Sequence, residues 1–74
     1  ADVVVEYPDR VRVVELRVNA SVSTIGRTQA YQMLLRDDNP FGKPVEAEVV
    51  TNLANKQVEE IAGRQGIKYT VLGI

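Results

Sequence analysis

Apolar and polar residues alternate most regularly between Val14 and Ser23. The apolar residues of this stretch occupy every second position, and they are Val14, Leu16, Val18, Ala20 and Val22. A period of two residues is typical of a strand with one buried and one solvent-exposed face. The pattern therefore predicts a long strand over residues 14–23 whose apolar side chains face the core.

The phase of this alternation changes upstream of Val14. Val11 and Val13 lie on the opposite parity, whereas Arg10 and Arg12 share the parity of Val14. Either a β-bulge lies near Val13–Val14, or the first part of the strand is covered on both faces. The bulge is favoured, because two arginines on a buried face would need partners. An apolar segment and the turn formers Pro8-Asp9 precede this strand, so a hairpin of segments 2–7 and 10–22 is predicted.

The segment from Gln29 to Arg36 supports two interpretations. Its composition favours a helix, but Tyr31, Met33 and Leu35 fall on alternate positions as in a strand. The strand is narrowly preferred. A second helix within residues 25–36 is the alternative, and it would give a βαβαβ order.

Residues 45–72 predict a strand, a helix and a second strand. Val45, Ala47 and Val49 alternate with glutamates, and Ile67 to Leu72 alternate again. Between them, Thr51 or Asn52 is expected to cap a helix over residues 53–64, and Gly66 follows where a C-terminal glycine belongs. The apolar stripe of this helix is Ala54, Val58, Ile61 and Ala62, and Glu60 is placed to pair with Arg64.

These elements predict one α+β domain over residues 1–74. We expect a small, mostly antiparallel sheet of four or five strands packed on the helix at 53–64, with a possible second helix within 25–36. The chain has 74 residues, 45% of them hydrophobic, but only 5% aromatic. A core built from small side chains in so short a chain favours an oligomer or a complex that buries more surface.

The composition also excludes several kinds of chemistry. The sequence contains neither histidine nor cysteine. Imidazole bases, thiol nucleophiles and zinc sites are therefore absent from the chain itself. The carboxylates Asp37-Asp38 and the strand pair Glu46 and Glu48 are better interpreted as solvated charges than as a cation site. We predict no enzyme, no cofactor and no metal, and absence of cysteine fits a reducing, cytoplasmic environment.

Two groups of residues are candidates for binding. Arginines concentrate in the first 27 residues, at Arg10, Arg12, Arg17 and Arg27, and could contact phosphates. Glu6, Asp9 and Glu15 interleave with them, so a salt-bridged sheet face is the preferred interpretation. The second group is the turn Asn39, Pro40, Phe41 and Gly42 in the loop 37–44, whose lone phenylalanine could anchor a partner or fold back onto the core.

The leading functional prediction is a non-enzymatic protein-binding or assembly domain. It would act through a sheet edge, offered by the sparsely charged strand 14–23, and through the loop 37–44. Another protein or a second copy is the expected partner. The alternative is a nucleic-acid-binding protein that uses the arginine face, although the net charge of −1 does not favour it. No membrane partner is expected.

Overall fold

The computed structural model describes residues 2–73 and contains four strands and two helices within that range. In chain order these are β1 (Val3–Glu6), β2 (Val11–Arg17), α1 (Val22–Asp38), β3 (Val45–Thr51), α2 (Lys56–Arg64) and β4 (Lys68–Val71). The strands form one sheet in the order β1-β2-β3-β4. β1 is antiparallel to β2, whereas β2, β3 and β4 are parallel.

The α+β class and the predicted hairpin of the first two strands are confirmed, but the mostly antiparallel sheet is wrong. Two of the three strand pairings are parallel, because helices connect β2 to β3 and β3 to β4. The described sheet has four strands. The described residues form two helices: α2, near the helix predicted at 53–64, and α1, which contains the residues of the alternative helix. The βαβαβ alternative therefore describes the chain from β2 onward.

The long strand over residues 14–23 is wrong in its second half, and in its first half Leu16, predicted to face the core, is 48% exposed. β2 ends at Arg17, and the carbonyl oxygen of Val18 accepts hydrogen bonds from the amides of Asn52 (3.2 Å) and Leu53 (3.1 Å). Ser21 then caps α1, and its backbone amide donates to Oγ1 of Thr24 at 3.1 Å. This reciprocal capping by small hydroxyl residues starts a helix inside a sequence that alternates like a strand.

The predicted bulge near Val13–Val14 is also wrong. β2 pairs with β3 without interruption from Val11 to Arg17. Val11 and Val13 are fully buried, and Val14 on the opposite face is only 9% exposed. Side chains therefore bury the first part of β2 on both faces of the sheet. This double burial explains why apolar residues change parity at Val13–Val14.

The strand predicted for residues 29–36 lies inside helix α1. The fully buried residues of this helix are Thr24, Ile25 and Thr28, and Oγ1 of Thr28 donates to the carbonyl oxygen of Thr24 at 2.7 Å. Met33 and Leu34 are exposed. Two of the three buried positions hold threonines, and large apolar residues also lie on the exposed side, so the usual amphipathic pattern of a helix is missing.

Helix α2 follows its predicted pattern more closely. Its N-cap is Asn55 rather than Thr51 or Asn52, and Oδ1 of Asn55 accepts from the amide of Val58 at 3.2 Å. Glu60 pairs with Arg64 at 2.7 Å, as expected. At the other end, Gly66 has a φ of 72°, and the amide of Ile67 donates to the carbonyl oxygen of Ala62 at 2.8 Å. This bond and the left-handed Gly66 are features of a Schellman motif, in which the left-handed position favours glycine.

Both helices contribute to one core on one face of the sheet. The core residues are Val13, Ala20, Ile25, Ala47, Val49, Val58, Ala62 and Ile67. The strand order β2-β3-β4 advances in one direction, so two crossovers of the usual hand place both helices on the same side. Within residues 2–73, no helix or strand covers the other side of the sheet.

Candidate protein-binding surface

The uncovered side of the sheet, here called the open face, is defined by the strand register. Residues that are paired across strands point to the same side of a sheet. The open face therefore consists of Val3, Val5, Arg12, Val14, Leu16, Glu46, Glu48, Val50, Lys68 and Thr70. Its charged residues lie toward the amino ends of the parallel strands and its apolar residues toward their carboxyl ends.

The charged half of the open face is an internally paired network. Arg12 lies 3.3 Å from both Glu46 and Glu48, and Arg10 lies 2.7 Å from Glu46. Oγ1 of Thr70 donates to Glu48 at 2.6 Å. Loss of hydration by itself would lower the pKa of Arg12. The hydrogen bond with Glu46 and the neighbouring acidic groups have the opposite and larger effect, so the pKa of Arg12 lies above its ordinary value.

Tyr7 completes this network on the β1 side. The Cζ atom of Arg10 lies 4.2 Å from the centre of the Tyr7 ring, and that of Arg12 lies 5.4 Å from it. Both guanidinium groups are thus engaged by carboxylates and an aromatic face. The neutralised arginines offer little attraction to a phosphate backbone. The same pairing occupies Glu46 and Glu48, and no metal-binding cluster of acidic residues is found among the described residues.

The apolar half of the open face surrounds a shallow concavity of about 320 Å³. Leu16 and Leu72 flank it and are 48% and 57% exposed, and Val18 beside them is 72% exposed. Val50 forms its half-buried floor. The amide of Leu72 donates to the carbonyl oxygen of Thr51 at 2.9 Å, which fixes Leu72 against the end of β3. The concavity is therefore an exposed, mostly apolar surface.

Arg17 stabilises the rim of this concavity. Its guanidinium lies 2.9 Å from Asp2 and 3.0 Å from the buried carboxylate of Glu15. Asp2 in turn accepts from the backbone amide of Leu16 at 2.8 Å. That hydrogen bond first, and the charge of Arg17 second, lower the pKa of Asp2 against the opposing effect of burial. Leu16 is therefore fixed between β1 and Arg17.

The loop predicted at 37–44 begins only after Asp38, because Asp37 and Asp38 belong to α1, and it lies at the opposite end of the sheet from the concavity. The amide of Gly42 donates to the carbonyl oxygen of Asn39 at 3.1 Å, which closes the predicted turn around Pro40. Nζ of Lys43 lies 2.6 Å from Glu6, and this ion pair ties the loop to β1. Phe41 is half-buried.

The predicted site residues do not converge on one site. Arg10 and Arg12 lie in the charged half of the open face, Arg17 lies beside the apolar half, and Arg27 is exposed on α1. The turn from Asn39 to Gly42 adjoins the amino ends of β2 and β3, since the amide of Val11 donates to the carbonyl oxygen of Pro44. The predicted edge is also misplaced, because β2 is an inner strand and the edges are β1 and β4.

A second groove, of about 560 Å³, lies between the segment that leads into α1 and helix α2. Three of its polar side chains take part in the fold: Asn55 caps α2, Ser21 bonds to Ser23 at 2.8 Å, and Arg64 pairs with Glu60. The surface of the concavity on the open face is more completely apolar, and we take that concavity as the candidate site.

Leu16, Val50 and Leu72 were missed as surface residues by the sequence analysis. For Val50 and Leu72 a signal exists in the adjacent apolar pairs Val49-Val50 and Val71-Leu72, and the pair Val13-Val14 places Leu16 on the same face as Val14, two residues upstream. Neighbouring residues of a strand point to opposite faces, so each pair places one apolar residue on the covered face and one on the open face.

No family model, curated protein or solved structure matches this chain. Among the described residues, neither helix has the length and apolar character needed to cross a membrane.

Proposed function

We propose that this chain is a non-enzymatic protein-binding or assembly domain that binds another protein on the apolar half of its open face. The observation that supports this proposal most strongly is the concavity between Leu16 and Leu72, whose apolar side chains are half exposed. Apolar surface that the fold leaves in water gains free energy when a partner covers it.

The partner is a protein that presents an aliphatic side chain beside a carboxylate. The aliphatic group would fill the concavity over Val50. Lys68 lies on the same face of β4, two residues from Thr70, and no ion pair within residues 2–73 involves it. A carboxylate of the partner that reaches the charged half of the open face, where Lys68 is the register partner of Glu48 on the neighbouring strand, would supply that ion pair. Such a peripheral contact contributes more to the association rate than to affinity.

The experiment is an affinity capture from source-cell lysate, after nuclease treatment, with three versions of the chain. Wild type is compared with Leu72→Lys, which places a charge in the concavity, and with Leu53→Lys, which changes an equally exposed leucine outside the lining of the concavity. We expect one stoichiometric protein to be retained by wild type and Leu53→Lys and lost with Leu72→Lys. Capture that all three share, or recovery of nuclease-sensitive nucleic acid alone, would contradict the proposal.

A further inference from the structure

Helix α1 carries an exposed stripe, here called the outer stripe, on the side opposite its buried residues. At 3.6 residues per turn, and beyond its first residue, seven residues of α1 lie closest to this side. They are Ser23, Gly26, Arg27, Ala30, Met33, Leu34 and Asp37, and all are exposed. Met33 and Leu34 are 59% and 64% exposed, more than most apolar residues of the chain.

The ends of the outer stripe carry opposite charges that have no partner within the described residues. Arg27 lies near the amino end and Asp37 near the carboxyl end, and neither takes part in an ion pair within residues 2–73. By contrast, Arg10, Arg12 and Arg17 each pair with at least one carboxylate. The charges of the outer stripe are therefore available to a partner.

We infer that the outer stripe binds the outer stripe of a second copy of this chain in an antiparallel, two-fold symmetric contact. With the two-fold axis level with Gln32, Arg27 lies opposite Asp37 of the second copy, and Ala30 lies opposite its Leu34. A two-fold axis repeats each of these pairings. Arg27 then attracts Asp37 of the other copy at both ends of the contact, and the small Ala30 packs against the large Leu34 twice.

The helix ends favour the same orientation. Asp37 and Asp38 lie at the carboxyl end of α1, where the helix dipole disfavours negative charge, and the first turn of α1 contains no acidic residue. An antiparallel neighbour brings both aspartates to the amino end of the other helix, where the dipole favours them. A parallel contact would instead place Arg27 opposite Arg27 and Leu34 opposite Leu34.

Gly26 supports a close approach of the two helices. A side chain at this position would meet no atom of its own chain within 4 Å, so the fold does not require glycine there. Its φ is not positive, and glycine inside a helix costs about 0.5–1 kcal/mol relative to alanine. A second helix lying against the outer stripe gives a reason for the missing side chain. This inference concerns a different surface from the open face and stands independently of the proposed function.

Sedimentation equilibrium over a wide range of concentrations tests the inference. We expect the wild-type mass to rise toward twice the 8.2 kDa of one chain, as in weak, concentration-dependent association. Leu34→Lys should raise the dissociation constant about tenfold or more, whereas Leu72→Lys on the open face should leave it unchanged. A monomeric wild type at every concentration, or dissociation by Leu72→Lys alone, would overturn it.

Charge reversal tests the orientation and controls for folding. Arg27→Glu and Asp37→Arg should each weaken the dimer, because each places like charges opposite one another, and the double variant should restore it. Circular dichroism should show the helix content of wild type in all three. A double variant as dissociated as its parents would contradict the antiparallel pairing.

Because the chain has no cysteine, a crosslink can be placed without background. A mixture of Ala30→Cys and Leu34→Cys chains should form a disulfide-linked dimer faster than either chain alone. Faster crosslinking of Ala30→Cys with itself would identify a parallel contact and overturn the inference.

Discussion

Helix α2 turns Val58 and Ala62 into the core and leaves charged residues in water, whereas helix α1 turns Thr24 and Thr28 inward and exposes apolar side chains. Both helices pack on the same face of one sheet. The free energy that holds α2 comes from the stripe that its own sequence provides. α1 contacts the sheet more extensively than α2 does, along β2 and β3, and yet it leaves Met33 and Leu34 in water.

Side-chain hydrogen bonds compensate for the polar inner face of α1. Nε2 of Gln32 donates to the carbonyl oxygen of Val45 at 2.9 Å, and Thr28 satisfies its hydroxyl within the helix. Ile25 is the one large apolar side chain of α1 that is fully buried among the described residues. The partly buried Leu35 packs against the same core, so Ile25 is the largest single apolar contribution of α1 and Leu35 adds to it.

The largest expected effect follows from the burial of Ile25. Ile25→Ala should lower the free energy of unfolding by about 3 kcal/mol, since it leaves a cavity between α1 and the sheet. Leu34→Ala, an equally drastic truncation on the outer stripe of the same helix, should change it by less than about 0.5 kcal/mol. Urea denaturation of dilute protein measures both. Similar losses for the two variants would show that α1 buries its outer side as well.

The presence of apolar residues on both sides of α1 explains why residues 29–36 were predicted as a strand. A helix is recognised in a sequence by apolar residues every three or four positions, and α1 has apolar residues on both sides. Tyr31, Met33 and Leu35 then fall on alternate positions by coincidence. The signals that decide the conformation are the capping by Ser21 and Thr24 and the left-handed Asn39 that ends the helix, and both are local.

Segments that bury one regular face were predicted well. The strand, helix and strand of residues 45–72 were predicted correctly. Val45 and Val49 recur with the period of a strand, and Val58 and Ala62 recur with the period of a helix. The pairing of β2 with β3 was not predictable in the same way. Whether neighbouring strands are parallel depends on the connection between them, and that connection is the misassigned helix α1.

A second test compares two glycines at the end of α2. Gly66 has a φ of 72°, so Gly66→Ala should lower the free energy of unfolding by about 1 kcal/mol, the cost of a left-handed alanine. Gly63 lies within the helix, and a side chain there would meet no atom within 4 Å. Gly63→Ala should therefore raise the free energy of unfolding by about 0.5 kcal/mol. Thermal unfolding of the two variants should shift in opposite directions, and a shift in the same direction would show that Gly66 does not form the cap.

The smallest expected effect uses Tyr69 as a probe of the packing beside α2. Burial first, and the charge of Glu59 second, raise the pKa of Tyr69 beside α2 above its ordinary value. Above pH about 10, Tyr69 ionises in the unfolded chain while it stays protonated in the folded one, so stability falls as the pH rises. Tyr69→Phe should reduce this alkaline loss.

Urea denaturation of wild type and Tyr69→Phe, repeated between about pH 8 and 11, measures the alkaline slope of the free energy of unfolding. Equal slopes for wild type and Tyr69→Phe would mean that α2 does not shield Tyr69 from water. The contrast between the buried apolar stripe of α2 and the exposed apolar residues of α1 would then depend on the comparison of Ile25 with Leu34 alone.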